Sequence, residues 1–149
     1  MICMPTVEFK PCKQEHIKFI APQKGEENNK LVYLAPEFRP CIEEHFAISG
    51  WVGNVCVAAA GIIVLYGDRA IGWALISRDA GPYMRQITRK VKSALDLHYA
   101  KRIEMTVRCD YPKGHKWAKL LGFGEPEAPR MRHSGYFGED EAMYARIKT

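Results

Sequence analysis

The sequence lacks any apolar run long enough to cross a bilayer. Its longest, Val55–Tyr66, falls short of the ~20 residues that a helical span needs. That run is rich in β-branched residues, which predicts a buried strand. No Cys-x-x-Cys pair occurs among Cys3, Cys12, Cys41, Cys56 and Cys109. An odd set of scattered cysteines fits reduced thiols, used as small apolar side chains in a cytoplasmic protein. His16, His45, His98, His115 and His133 have no spacing that completes a zinc site, so no metal is expected. Repeats of ~20–50 residues are absent. Gly (12) and Pro (9) keep close to ordinary usage, which excludes collagen-like and low-complexity classes. The first residues, Met1-Ile2-Cys3-Met4-Pro5, have no basic stretch leading into an apolar one, so no export signal is expected.

What is present is a chain of 149 residues, 47% hydrophobic, with a net charge of +5. The length predicts one domain, 1–149, able to bury a core without staples. The charge is uneven. Residues 1–77 hold seven basic and eight acidic side chains, residues 78–132 hold thirteen and six, and residues 133–149 hold two and three. A basic block of this kind concentrates anions. Phosphate-bearing cofactors, nucleic acid and acidic protein surfaces are the candidate partners. Nucleic acid is the weaker of these, because the aromatic–basic stacking motif of single-strand RNA modules is missing.

Periodicity supplies a coarse layout. Val7–Lys10 predicts a short strand and Lys13–Ile20 a short helix, followed by a polar loop over Gln23–Lys30. Glu37–Phe46 predicts a second helix, opened by Pro36. Asn54–Tyr66 and Ala70–Ser77 read as two central strands joined at Gly67-Asp68. Helix Pro82–Tyr99 carries an apolar stripe of Ile87, Val91, Ala94, Leu95 and His98. Arg102–Cys109 alternates like a half-exposed strand, which places Glu104 on the solvent side. Lys113–Leu121 predicts a short helix that Gly122 terminates. Glu125–Arg132 reads as a proline-broken edge strand and Glu141–Lys148 as a closing strand. The class is α/β with one mixed sheet and helices on both faces.

The chemistry concentrates where the second central strand ends. A turn, Arg78-Asp79-Ala80-Gly81-Pro82-Tyr83, leads straight into the long helix. Helix N-termini carry unpaired N–H groups and partial positive charge, which suits a pyrophosphate. This strand–turn–helix resembles the acetyl-CoA loop of GNAT N-acetyltransferases, whose pattern is Arg/Gln-x-x-Gly-x-Gly/Ala. Arg78 and Gly81 match it, while Tyr83 stands in place of the small residue. Lys116-Trp117-Ala118-Lys119-Leu120-Leu121-Gly122-Phe123 is similar to the family's Ala-x-x-Leu-Gly-Phe helix. The element order agrees over nearly the whole chain, and the size resembles that of small bacteriophage-encoded GNAT-like proteins, virion-associated ones included.

The resemblance implies a GNAT-like fold, acetyl-CoA as cofactor and a primary amine as acceptor, a lysine or N-terminus of a host protein being one candidate. It implies that the backbone of Trp73, Ala74, Leu75, Ile76 and Ser77 pairs with the pantetheine arm. The amides of Asp79, Ala80, Gly81 and Tyr83, beside Arg78 and Pro82, would hold the pyrophosphate, and the two central strands would splay. An N–H near Leu75 would polarise the thioester carbonyl. The family's usual glutamate base is missing from the central strands, and Ala118 stands where its usual acid tyrosine would be. Glu104, Glu44 (beside Glu43) and His45 are the substitute base candidates. Tyr111 and His115 are the substitute acid candidates. Trp51, Trp73 and Trp117 read as core, with Trp73 nearest the cofactor. The competing readings are a non-catalytic binding module of the same fold and a nucleic-acid binder. A monomer or a homodimer fits, an exposed closing strand favouring the dimer.

Overall fold

A computed structural model describes residues 5–149; the Met1–Met4 stretch, with Cys3, lies outside the described residues. Seven strands form one sheet in the order β1-β2-β3-β4-β5-β7-β6. They are β1 (Glu8–Pro11), β2 (Phe46–Val52), β3 (Val55–Tyr66), β4 (Arg69–Ile76), β5 (Arg102–Arg108), β6 (Ala128–Met131) and β7 (Glu141–Ile147). The helices are α1 (Glu27–Tyr33), α2 (Arg39–Glu43), α3 (Met84–Leu97) and α4 (Pro112–Leu120), with 3-10 turns at Gln14–Phe19, Pro36–Phe38 and Gly81–Tyr83. Two-residue turns join β2 to β3 and β3 to β4. Their first residues, Gly53 (φ +59°) and Gly67 (φ +51°), take the left-handed backbone that such hairpins demand. Among the described residues, no helix is long and apolar enough to cross a membrane.

Two compact units divide the chain: Met1–Gly61 with Ala74–Lys90, and Ile62–Trp73 with Val91–Thr149. The first buries Ile17, Ile20, Ile42, Val57, Leu75 and Ile87 completely or nearly so. The second has its own core, in which Leu95 of α3 and Ala118 and Leu121 of α4 pack with Ile103 and Val107 of β5 and Tyr144 of β7. Gly122 closes α4 with φ +94°, the helix stop expected of it. Cys12 and Cys56 are buried free thiols, and burial pushes their pKa values up to about 12 and about 11. They behave as small apolar side chains at neutral pH.

Three expectations fail, each for a physical reason. The second half of the polar loop is helical: α1 begins at Glu27 and has no fully buried residue, so no apolar period announced it. Tertiary bonds hold it, Lys30 Nζ to the Ile20 carbonyl (2.8 Å) and Gln14 Nε2 to the Tyr33 carbonyl (2.9 Å). The second helix stops at Glu43, and Phe46 begins β2 instead. Ser49 and Gly50 mask that strand in the sequence, yet both are buried, and a Cβ at Gly50 would lie 3.0 Å from Val7 and Phe9 side-chain atoms. The closing strand is not an edge. β7 lies between β5 and β6, with antiparallel partners on both sides, so it offers no free strand for a dimer. The short, bulged and proline-containing β6 forms that edge instead.

Gly114 lies inside α4, where alanine would ordinarily gain about 1 kcal/mol of helix propensity. A Cβ there would sit 2.6 Å from Val107 Cγ1 and 2.7 Å from Tyr111 Cδ2. Val107 is buried and β-branched, so it cannot give way cheaply. Overpacking of this kind costs about 1–3 kcal/mol. Gly114→Ala is therefore expected to lower the thermal midpoint, measured by circular dichroism, despite its better propensity.

Candidate functional site

β4 is the element from which the site is built. It runs parallel to β5, but the register pairs only Arg69 with Arg102, Ala70 with Ile103 and Ile71 with Glu104. Beyond Ile71 the β5-side edge of β4 has no strand partner in β5. The parting expected of the two central strands does not occur between β3 and β4, since the Ser77 N–H still donates to the Val57 carbonyl at 2.9 Å. The open edge carries definite groups. The Arg102 N–H donates to the Asp68 carbonyl at 3.0 Å, so even-numbered residues face β5 and odd-numbered ones face β3. The Leu75 N–H therefore points to β3, not to the open edge. Ala74 presents its backbone N–H and carbonyl there, and Ile76 its N–H, so an edge N–H lies on each side of Leu75 in the chain. Trp73, Leu75 and Ile76 are buried side chains.

The turn after β4 is tightly bonded. Ser77 is buried, and its Oγ accepts the Asp79 N–H at 3.0 Å. Its carbonyl accepts the Ala80 N–H at 3.1 Å and Gln23 Nε2 at 3.4 Å. Pro22 bridges Ser77, and the Arg78 N–H donates to the Ala21 carbonyl at 2.8 Å. The Tyr83 N–H donates to the Ala80 carbonyl at 2.8 Å, and Pro82 has none to give. The amides of Arg78, Asp79, Ala80 and Tyr83 are thus engaged by neighbouring carbonyls and the Ser77 hydroxyl, so the turn satisfies most of its own donors. Among the described residues of this turn, Gly81 keeps a backbone N–H outside these bonds. A Cβ at Gly81 would meet nothing within 4 Å. The exposed Arg78 and, one helical turn on, Arg85 and Arg89 add positive charge.

Glu104 was expected at the surface and is buried, 7% exposed. Its Oε2 accepts Arg69 Nε at 2.8 Å and Arg102 Nε at 2.6 Å, and its Oε1 accepts Arg69 Nη2 at 3.0 Å. Arg102 continues to Glu127 at 2.6 Å. The Arg69 guanidinium holds the Glu104 carboxyl below the ordinary carboxylate range, burial opposes, and Arg102 adds to the lowering. A carboxylate held this way is a poor proton acceptor. Nothing in the sequence announced the pairing, since Arg69 and Glu104 lie on different strands.

The remaining candidates are spread out. Glu43 accepts the Gln14 N–H (3.0 Å) and Arg39 Nε (3.2 Å), and these bonds hold its carboxyl below the usual range. Glu44 is exposed at the C-terminal end of α2, and His45 is half-buried in the link to β2. Tyr111 lies half-buried beneath Gly114, at the entrance to α4. His115 is not a surface residue. Its Nε2 lies 3.0 Å from the Arg108 carbonyl and its Nδ1 2.7 Å from Tyr144 Oη. A carbonyl only accepts, so the proton sits on Nε2 and Tyr144 donates to Nδ1. Both ring nitrogens are used to pin α4 to β5 and β7. Glu104 and His115 belong to one compact unit, and Glu44 and His45 to the other.

Replacing Glu104 by glutamine leaves Arg69 without its carboxylate and Arg102 with Glu127 alone. Breaking a fully buried pair costs about 3–5 kcal/mol. Here Arg69 and Arg102 remain 41% and 31% exposed, so solvent screening reduces the expected loss to about 1–3 kcal/mol. The folded pKa is depressed, so the stabilisation is complete above the unfolded carboxylate value of about 4.3 and disappears as pH falls through the lower folded value. Urea titrations at pH 7 and in the acid range test this: Glu104→Gln should be the less stable at pH 7, and the gap should close in acid.

No family model and no curated protein matches this sequence. Solved structures do. A ribosomal-protein-S5-alanine acetyltransferase from Vibrio fischeri superposes with a TM-score of 0.67 at 12% identity, over 98% of this chain and 95% of that one. A mutant spermidine N-acetyltransferase from Vibrio cholerae gives 0.61 at 11% identity, over 94% of each chain. The ribosomal-protein-S18-alanine N-acetyltransferase from Escherichia coli gives 0.56 at 19% identity, over 70% of each chain. The architecture they share with this seven-stranded mixed sheet is the GNAT acetyltransferase fold, and this chain has it.

Proposed function

We propose that the chain is an acetyl-CoA-dependent N-acetyltransferase acting on a primary amine, by direct attack in a ternary complex. One observation carries the reading: in a GNAT-fold sheet, the open edge of β4 leads through an exposed Gly81 into the N-terminus of α3. Bound acetyl-CoA would supply an acetyl thioester as acyl donor. The chain's part is to hold and orient. The β4 edge at Ala74 and Ile76 would bond the pantetheine arm like an added strand. The Gly81 N–H and the first turn of α3 would take the pyrophosphate. Open space around Gly81 fits a phosphate approaching the backbone, while the engaged amides of Asp79, Ala80 and Tyr83 keep the turn in shape. Arg78, Arg85 and Arg89 would supply longer-range attraction.

The same comparisons support the proposed acceptor class. Two similar proteins are named for ribosomal-protein alanine and one for spermidine, all of them amines. A protein N-terminus or lysine is the acceptor we propose, with a host protein as its source if the gene is phage-borne. The acceptor amine must lose a proton before attack. Glu44 and His45 are the base candidates and Tyr111 the acid candidate, whereas Glu104 and Glu43 have carboxyls that their partners hold below the ordinary range. Those commitments are what favours the second reading, a CoA-binding module of the same fold without turnover.

Calorimetric titration with acetyl-CoA, followed by a turnover assay over a panel of amines and peptides, tests the proposal. Saturable binding with turnover is expected. Binding without turnover selects the module, and no binding at near-millimolar cofactor refutes both. Gly81→Glu is expected to weaken CoA binding at least ~10-fold, because a carboxylate would meet the phosphates at ~4 Å range. Its thermal midpoint should match the parent, since the added side chain has room. Undiminished affinity would place the cofactor elsewhere.

A further inference from the structure

His16 lies in the 3-10 turn Gln14–Phe19, in a bonding position that permits only one protonation state. Its Nδ1 accepts the Lys13 backbone N–H at 3.2 Å and lies 2.9 Å from Ser49 Oγ on β2. A backbone N–H only donates, so Nδ1 is unprotonated and the ring proton sits on Nε2. Ser49 then donates its hydroxyl proton to Nδ1, and its oxygen accepts Trp51 Nε1 at 2.9 Å. Ser49 is fully buried, at 0% exposure, so water offers its hydroxyl no alternative.

The turn fastened by this ring is itself a fastening. The Gln14 N–H donates to Glu43 of α2 at 3.0 Å. Gln14 Nε2 donates to the carbonyls of Tyr33 (2.9 Å) and Ala35 (2.7 Å), at the end of α1 and just past it. Lys30 of α1 donates to the Ile20 carbonyl, just beyond the turn, at 2.8 Å. The polar helices α1 and α2, with one fully buried side chain between them, Ile42, thus depend on bonds that converge on the turn.

We propose that His16 is a proton-operated latch: a proton taken up at Nδ1 cancels both bonds and releases the Gln14–Phe19 turn, with the α1–α2 segment tied to it, from β2. With Nδ1 protonated, the Lys13 N–H faces another donor. Ser49 can turn to accept from Nδ1, but its own proton then loses its acceptor in a buried position. The charged groups facing the ring are Glu15 and Lys13 on the turn and its cap, Lys10 on β1 and Glu43 on α2. Lys10 Nζ also lies 5.3 Å from the centre of the Trp51 indole that His16 meets edge-on. Burial holds the imidazole below its ordinary value; Lys13 and Lys10 act in the same direction, and Glu15 and Glu43 oppose. A depressed folded pKa means the latch is closed above about pH 6.5, the unfolded histidine value, and opens as pH falls through the lower folded value.

Amide hydrogen exchange followed by NMR, from pH 7.5 down to the pH at which the His16 ring 15N shifts report protonation, and corrected for intrinsic rates, reads the latch. Gln14 and Arg39 hold the Glu43 carboxyl below the ordinary carboxylate range, so it keeps its charge to lower pH than a free carboxylate. Protection at Ile20, Lys30, Leu34 and Glu44 should fall at least ~5-fold, the low end for an orphaned buried donor, while β5 and β7 amides hold theirs. His16→Asn places a non-titrating acceptor where Nδ1 was and should make protection independent of pH. If that variant fails to fold, the parent's own ring 15N shifts decide: their midpoint must coincide with the midpoint of the protection loss. Unchanged protection in the parent, the same loss in His16→Asn, or separated midpoints would overturn the latch. None of these readouts involves acetyl-CoA, so the outcome is independent of the proposed activity.

Discussion

The short parallel pairing of β4 with β5 is the constraint on which the rest depends. Three registers join them, Arg69 through Ile71, and the sheet continues without a β5 partner for the remainder of β4. An unpaired strand edge is costly inside a protein and prone to pairing with whatever extended chain it meets. The structure manages this at the turn beyond β4, where Pro22 bridges Ser77 and the Ala21 carbonyl takes the Arg78 N–H. The backbone groups of Ala74 and the N–H of Ile76 stay on the open edge. Glu104 secures the base of the arrangement, since its two arginines come from the first residues of β4 and β5.

This division of labour explains why the charged residues of the β5 half are poor acid–base candidates. Glu104 and His115 look available in a linear sequence. In three dimensions the first holds two strands together and the second holds a helix to two strands. Arg69 holds the Glu104 carboxyl below the ordinary carboxylate range, which makes it a poor proton acceptor. The basic block from Arg78 to Arg132 is likewise two things: Arg102, Arg108 and Arg130 are spent on ion pairs, while Arg78, Arg85 and Arg89 around α3 remain for an anion.

Much of the fold was legible where burial imposes a period. The stripe of Ile87, Val91, Ala94 and Leu95 announced α3, and the run from Val55 announced β3. The glycine turn at 67 and the stop at Gly122 were equally plain, because positive φ leaves little choice of residue. What stayed hidden has no such signature. α1 is polar on every side and is held by Lys30 and Gln14 side chains reaching carbonyls far along the chain. β2 contains Ser49 and Gly50, small and polar residues that become buried only because Val7, Phe9 and His16 come to meet them. For the site, the Gly81 turn was readable as a strand–turn–helix junction. The side of β4 that each amide faces was not, since that parity is set by pairing with β3 and β5. The arginine partners of Glu104 were hidden for the same reason.

The CoA chain is proposed to lie along the open β4 edge and over the Gly81 turn. Backbone 15N–1H spectra recorded during addition of CoA test it most directly. The predicted result is saturable shifts at Ala74, Ile76 and Gly81, continuing into Met84 and Arg85 of α3, with the amides of Ala128–Met131 in β6 unmoved. Shifts confined to other parts of the sheet, or none as CoA approaches millimolar concentration, would contradict it.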